Sequence, residues 1–176
     1  MSNQDATRFI EILRQMATTR FRDLAGARLT ADMPVSERLV NELLAVTLPP
    51  GAPVRTVTIH PEAQDRLTVR IVPKMPLLPP FALKLAIEGQ PRLPVSPVLV
   101  LRMVTLGGLF GLASGAVTGM LPPGVRLEGE RILVDLRSIA ATRGFADLFD
   151  YLNDVQVHSD DGRLIVHVDA GVASPR

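Results

Sequence analysis

The chain has 176 residues, 19 basic and 18 acidic, with a formal charge of +1, no cysteine and no tryptophan. This length fits one domain, and the lack of cysteine excludes a disulfide framework, a thiolate nucleophile and a zinc–thiolate centre. Neither sign of charge forms a block, which excludes the electrostatic footprint of a nucleic-acid binder. Hydrophobic residues make up 47% of the chain but aromatic ones only 4%, so the apolar surface is aliphatic.

From Asp5 to Leu24, Phe9, Leu13, Met16 and Ala17 fall on one helical stripe, which predicts an amphipathic first helix over residues 1–25. No basic segment leads into an apolar run there, so an unexported, cytoplasmic protein is expected. After Gly26, Ala27, Leu29 and Ala31 alternate with polar residues as in a short strand. Ser36 is a suitable N-cap for a helix whose apolar face is Leu39, Val40, Leu43, Leu44 and Ala45. The period then changes to two. Val57 and Ile59, then Leu67, Val69 and Ile71, predict a hairpin, and Phe81, Leu83, Leu85 and Ile87 a third strand. Alternation of apolar and polar residues is the pattern of an antiparallel sheet with one buried face.

Between the second and third of these strands, Pro73 to Pro80 holds Met75, Leu77 and Leu78 among four prolines. Proline keeps such a loop out of helix and strand, so its apolar side chains pack on the body or form a rim. Val98 to Val104 is extended and runs into a charge-free stretch, Met103 to Met120, where Gly107, Gly111, Gly115 and Gly119 recur at every fourth position. On a helix these share one face without side chains, to which a backbone or apolar ligand can come close. A membrane span is disfavoured by the glycine content and by Arg102 in its flank. Val125 and Leu127 can face Val134 and Ile132; Phe145, Leu148, Phe149 and Leu152 repeat at helical spacing. Val155 and Val157 can pair with Val168 and Val166 around Asp161-Gly162, a strong hairpin signal.

Chemical motifs are sparse. His158 and His167 become diagonal neighbours on the outer face of the last hairpin, beside Asp160 and Asp169, a combination that could hold a divalent metal. There is no nucleophile elbow, phosphate loop or dinucleotide fingerprint. The reading leans away from an enzyme and expects no cofactor.

The stretch Ala27 to Ala45, a strand entering a helix with Asn41 before a Leu pair, resembles small bacterial members of the tubular lipid-binding (TULIP-like) superfamily. The pattern Leu127 to Leu136, then a helix and Asp161 to Val166, is similar to the closing part of such domains. The resemblance implies an α+β fold, a curved antiparallel sheet wrapped around or packed on helices, as one domain over residues 26–172 with a short tail at 173–176. It also implies an elongated aliphatic cavity for a lipid or other apolar small molecule. Leu43, Leu67, Val69, Phe81, Leu83, Leu85, Leu109 and Phe110 are the candidate lining, with Met75, Leu77 and Leu78 as the rim. Peripheral membrane contact and a homo-oligomer are further expectations. Two alternatives stay open: an interaction protein assembling through Gly107 to Gly119, and an enzyme or metal protein using His158 and His167.

Overall fold

Alternation of aliphatic and polar side chains dominates the sequence, and strands dominate the fold. The computed structural model describes residues 25–47, 51–75, 79–104, 121–142 and 144–172. Strands β1 (Arg28–Ser36), β2 (Val54–Glu62), β3 (Arg66–Pro73), β4 (Phe81–Gly89), β5 (Val98–Met103), β6 (Val125–Glu128), β7 (Arg131–Asp135), β8 (Leu152–Asp160) and β9 (Arg163–Gly171) form two sheets. One has the order β1-β9-β8, the other β2-β3-β4-β5-β7-β6, and every pairing is antiparallel. Among the described residues the helices are α1 (Glu37–Thr47), α2 (Leu136–Ala141) and a 3₁₀ segment, Ala146–Tyr151. The first helix expected at residues 1–25, the glycine-spaced segment from Thr105 onward and the tail at 173–176 lie outside the described residues.

The expected α+β fold is therefore corrected: the described chain is predominantly β, a curled antiparallel sheet with short helices at its margins. Sheet packs on sheet. Val157 of β8 lies in one cluster with Leu67, Leu83, Leu85, Leu99, Leu101 and Met103, and Leu164 of β9 packs against it. The helices supply none of this cluster. The spacing of Phe145, Leu148, Phe149 and Leu152 misled because it ends in a 3₁₀ turn and the start of β8; Phe145 and Leu148 stay exposed, so no apolar stripe is buried there.

Local signals are obeyed closely. Val155 pairs with Val168 and Val157 with Val166, across a turn in which Gly162 takes φ +70°, a conformation that disfavours any residue with a Cβ. Val125 pairs with Val134 and Leu127 with Ile132. Ser36 caps α1, its Oγ accepting from Leu39 N at 3.4 Å. Strand β1 runs further than the short strand expected, through Pro34 to Ser36. Proline is tolerated because β1 is an edge strand.

Side chains, rather than further strands, close two sheet edges. Asn41 of α1 donates from Nδ2 to Ile59 O at 2.9 Å and accepts at Oδ1 from Ile59 N at 2.7 Å, so the helix is clipped to edge strand β2. Gln90 treats β8 in the same way, donating to Val157 O at 2.8 Å and accepting from Val157 N at 2.9 Å. These amides occupy the unpaired strand groups that would otherwise invite another chain. The β2–β3 turn then docks on β8. Buried Ser159 places its Oγ 2.8 Å from Glu62 O and 2.7 Å from Arg66 O, and its N donates to Asp65 Oδ1 at 2.9 Å.

Candidate functional site

Strand alternation puts Val57 and Ile59 of β2, Leu67, Val69 and Ile71 of β3, Phe81, Leu83, Leu85 and Ile87 of β4, Leu99, Leu101 and Met103 of β5, Ile132 and Val134 of β7 and Leu127 of β6 on one side of the six-stranded sheet. No ionisable side chain interrupts this face. Its centre is closed: Leu67 is 5% exposed, Leu83 7% and Leu85 2%. Around that centre Ile59, Val69, Ile71, Phe81, Ile87, Leu127, Ile132 and Val134 are only partly buried. The face is thus a packed core with an apolar margin that the described residues do not close.

Register brings most of the expected lining together. Leu67 lies opposite Leu85, Val69 opposite Leu83 and Ile71 opposite Phe81. Leu67, Leu83 and Leu85 are sealed core, while Val69 and Phe81 stand at the margin. Leu43 is not gathered with them; on α1 it is 54% exposed, beside Leu39 at 44%. Of the rim, Met75 is exposed. Leu77, Leu78, Leu109, Phe110, Gly107, Gly111, Gly115 and Gly119 lie outside the described residues. A second exposed apolar strip was not anticipated: Leu29 and Met33 of β1 precede Leu39 and Leu43 directly in the chain. Alternation through Leu29, Ala31 and Met33 was its signal, but alternation alone does not tell a covered face from an open one.

The histidines are engaged separately. His158 and His167 are diagonal neighbours, as their places opposite Ile165 and Gln156 require. Yet His158 Nδ1 lies 3.3 Å from Asp65 Oδ1, His167 Nδ1 lies 2.7 Å from Asp32 Oδ1, and His60 Nδ1 lies 2.7 Å from Glu37 Oε2. Asp160 and Asp169 share the outer face, but Asp160 accepts from Arg163, and Asp169 from Arg28 and Asn153. Hydrogen bonds from Arg28 and then from Asn153 hold the Asp169 carboxyl below its ordinary range against the opposing effect of burial. Among the described residues no group of three or more His, Asp or Glu is arranged to hold a metal ion.

Sequence reading missed the positioning roles of Gln90, Asp65 and Ser159. Their signal is faint: single polar residues, on a strand or in a loop, whose partners are distant backbone groups. No helix among the described residues is long and apolar enough to cross a membrane. Comparison with protein-family models, with curated proteins and with solved structures finds no match for this chain.

Proposed function

We propose that this protein binds a lipid or another long apolar molecule along the charge-free face of its six-stranded sheet, without catalysis. The observation that carries the reading is the partly exposed apolar margin, Ile59, Val69, Ile71, Phe81, Ile87, Leu127, Ile132 and Val134, around the sealed centre. Each methylene that leaves water contributes about 0.8 kcal/mol, so an acyl chain laid on such a margin gains affinity without any polar contact. Among the described residues the margin holds no ionisable group to orient a reaction. The resemblance to tubular lipid-binding domains belongs to the same proposal, as does a cytoplasmic protein held peripherally at a membrane. Exposed Leu29, Met33, Leu39 and Leu43 support the latter, being aliphatic side chains of the kind that enter a lipid interface.

Native mass spectrometry of gently purified protein, with organic extraction of what co-purifies, tests the reading. A stoichiometric alkyl-chain ligand is expected. Because the chain has no tryptophan, Ile71→Trp supplies a single reporter at the margin, whose emission shifts to the blue when lipid covers it. A clean apo mass, together with no emission change on adding phospholipid vesicles, refutes the proposal.

A further inference from the structure

On the outer face of the six-stranded sheet, opposite Leu99 and Leu101, lies an open groove of about 640 Å³. Its floor is aliphatic: Val98 and Val100 of β5, with Leu133 of β7 directly across from Val100. One wall is the end of β4 and the segment that follows it. Gly89 there sits so close to Val100 that an added Cβ would lie 3.2 Å from the valine Cβ. Gln90, also in the lining, is held by its clamp on Val157, and Arg92 is braced by paired backbone hydrogen bonds with Ser96, at 2.7 and 2.6 Å. The opposite wall carries Arg126, which faces Leu133 across β6 and β7.

The charges do not cancel. Glu88, the only carboxylate among the described lining residues, accepts from Arg131 at 3.0 and 2.7 Å and is thereby neutralised. Asp135, whose carboxylate senses the charge of Arg126 from beyond ion-pair distance, accepts from Ser138 N at 3.0 Å and Ser138 Oγ at 2.7 Å as the cap of α2, so it offsets Arg126 in part and leaves Arg92 unbalanced. Arg92 and Arg126 have no ion-pair partner among the described residues. Two arginines lining a groove with an aliphatic floor suit one kind of molecule. A guanidinium fork matches an oxyanion bidentately, and the floor takes what is attached to it.

We infer that this groove binds an oxyanion, a phosphate or a carboxylate, that carries an aliphatic body, with Arg92 and Arg126 taking the anion and Val98, Val100 and Leu133 the body. The site goes beyond the proposed lipid function. It lies on the opposite face of the sheet, so either can fail without the other.

Octyl phosphate, below its micelle concentration, is the probe, titrated by calorimetry. Saturable binding is expected, weakened at least about tenfold in Arg92→Gln/Arg126→Gln and by raising the salt. Both side chains belong to exposed residues, so the variant folds, which thermal melting verifies. Arg70→Gln, an exposed arginine on the same face of β3 and outside the groove, leaves the affinity unchanged. Inorganic phosphate and octyl glucoside bind more weakly, one lacking the body and the other the charge. Sedimentation with phosphatidylglycerol vesicles that the double variant abolishes assigns the oxyanion to a lipid headgroup; octyl phosphate binding without sedimentation assigns it to a soluble ligand. The inference is overturned if octyl phosphate does not saturate, if the double variant binds as well as the parent, or if Arg70→Gln weakens binding equally. Equal binding of octyl glucoside or of inorganic phosphate overturns it too.

Discussion

Replacing Ser159 by alanine tests whether the joint between the two sheets rests on a single hydroxyl. Ser159 is 5% exposed, and its Oγ stands within 2.8 Å of two carbonyl oxygens, those of Glu62 and Arg66. One hydroxyl proton serves only one carbonyl at a time, so the substitution removes one net hydrogen bond, about 1 kcal/mol, and leaves a lone pair of that carbonyl facing a methyl group at a buried position, about 1 kcal/mol more. The backbone bonds from Ser159 N to Asp65 Oδ1 and from Asp65 N to Ser159 O survive, which keeps the turn docked. A loss of about 2 kcal/mol is therefore expected, or about 4–8 °C in Tm for a chain of this size. Urea unfolding followed by circular dichroism measures it, with an unchanged m-value showing that the unfolded state is not what changed. A loss below about 0.5 kcal/mol would show that water reaches both carbonyls and that the joint is held by β8 packing instead.

Asn41→Ala removes both amide bonds to Ile59 and should cost about 2 kcal/mol, with hydrogen exchange at the Ile59 amide accelerating more than at β4 amides; uniform acceleration would contradict a local clamp. Gly124→Ala should destabilise by about 1–3 kcal/mol, because Gly124 has φ +86° and a Cβ would lie 3.1 Å from Asp135 O, Ile139 Cγ1 and Ser138 Cβ; an unchanged melting curve would show that α2 gives way freely. The Asp169 carboxyl is depressed by its bonds from Arg28 and Asn153, so its stabilisation is present above the ordinary carboxylate pKa of about 4 and is lost as pH falls through the lower folded value. Asp169→Asn should accordingly flatten the fall in urea midpoint on acidification, and an identical pH profile would remove Asp169 from the acid response.

What was legible in the sequence is what lies within one strand and its neighbour. Asp161-Gly162 set the last hairpin and its register, and alternation placed Val125, Leu127, Ile132 and Val134 on one face. Illegible was which elements cover which. Phe145, Leu148 and Phe149 have helical spacing, but spacing records only how side chains recur; Phe145 and Leu148 are exposed and Phe149 is half-buried. The same limit explains the lining residues. Leu83 and Phe81 look alike in an alternating strand, yet one is sealed and the other marginal, a difference that depends on what packs over the face from distant parts of the chain.

The clamps at Asn41 and Gln90 bear on what the apolar margin can recruit. A peptide that joins a sheet by strand addition needs free backbone N–H and C=O groups at an edge, and at Ile59 and Val157 these are taken by side-chain amides. Pro34 breaks the donor row of β1, and β6 offers only four residues, Val125–Glu128. The sheets therefore present their sticky surface through side chains rather than through backbone. An occupant of the margin around Val69, Phe81 and Ile132 has to be held by apolar area and shape, with no demand for hydrogen bonding. A flexible aliphatic chain meets that condition better than a polypeptide, whose own backbone would be left without partners against such a face.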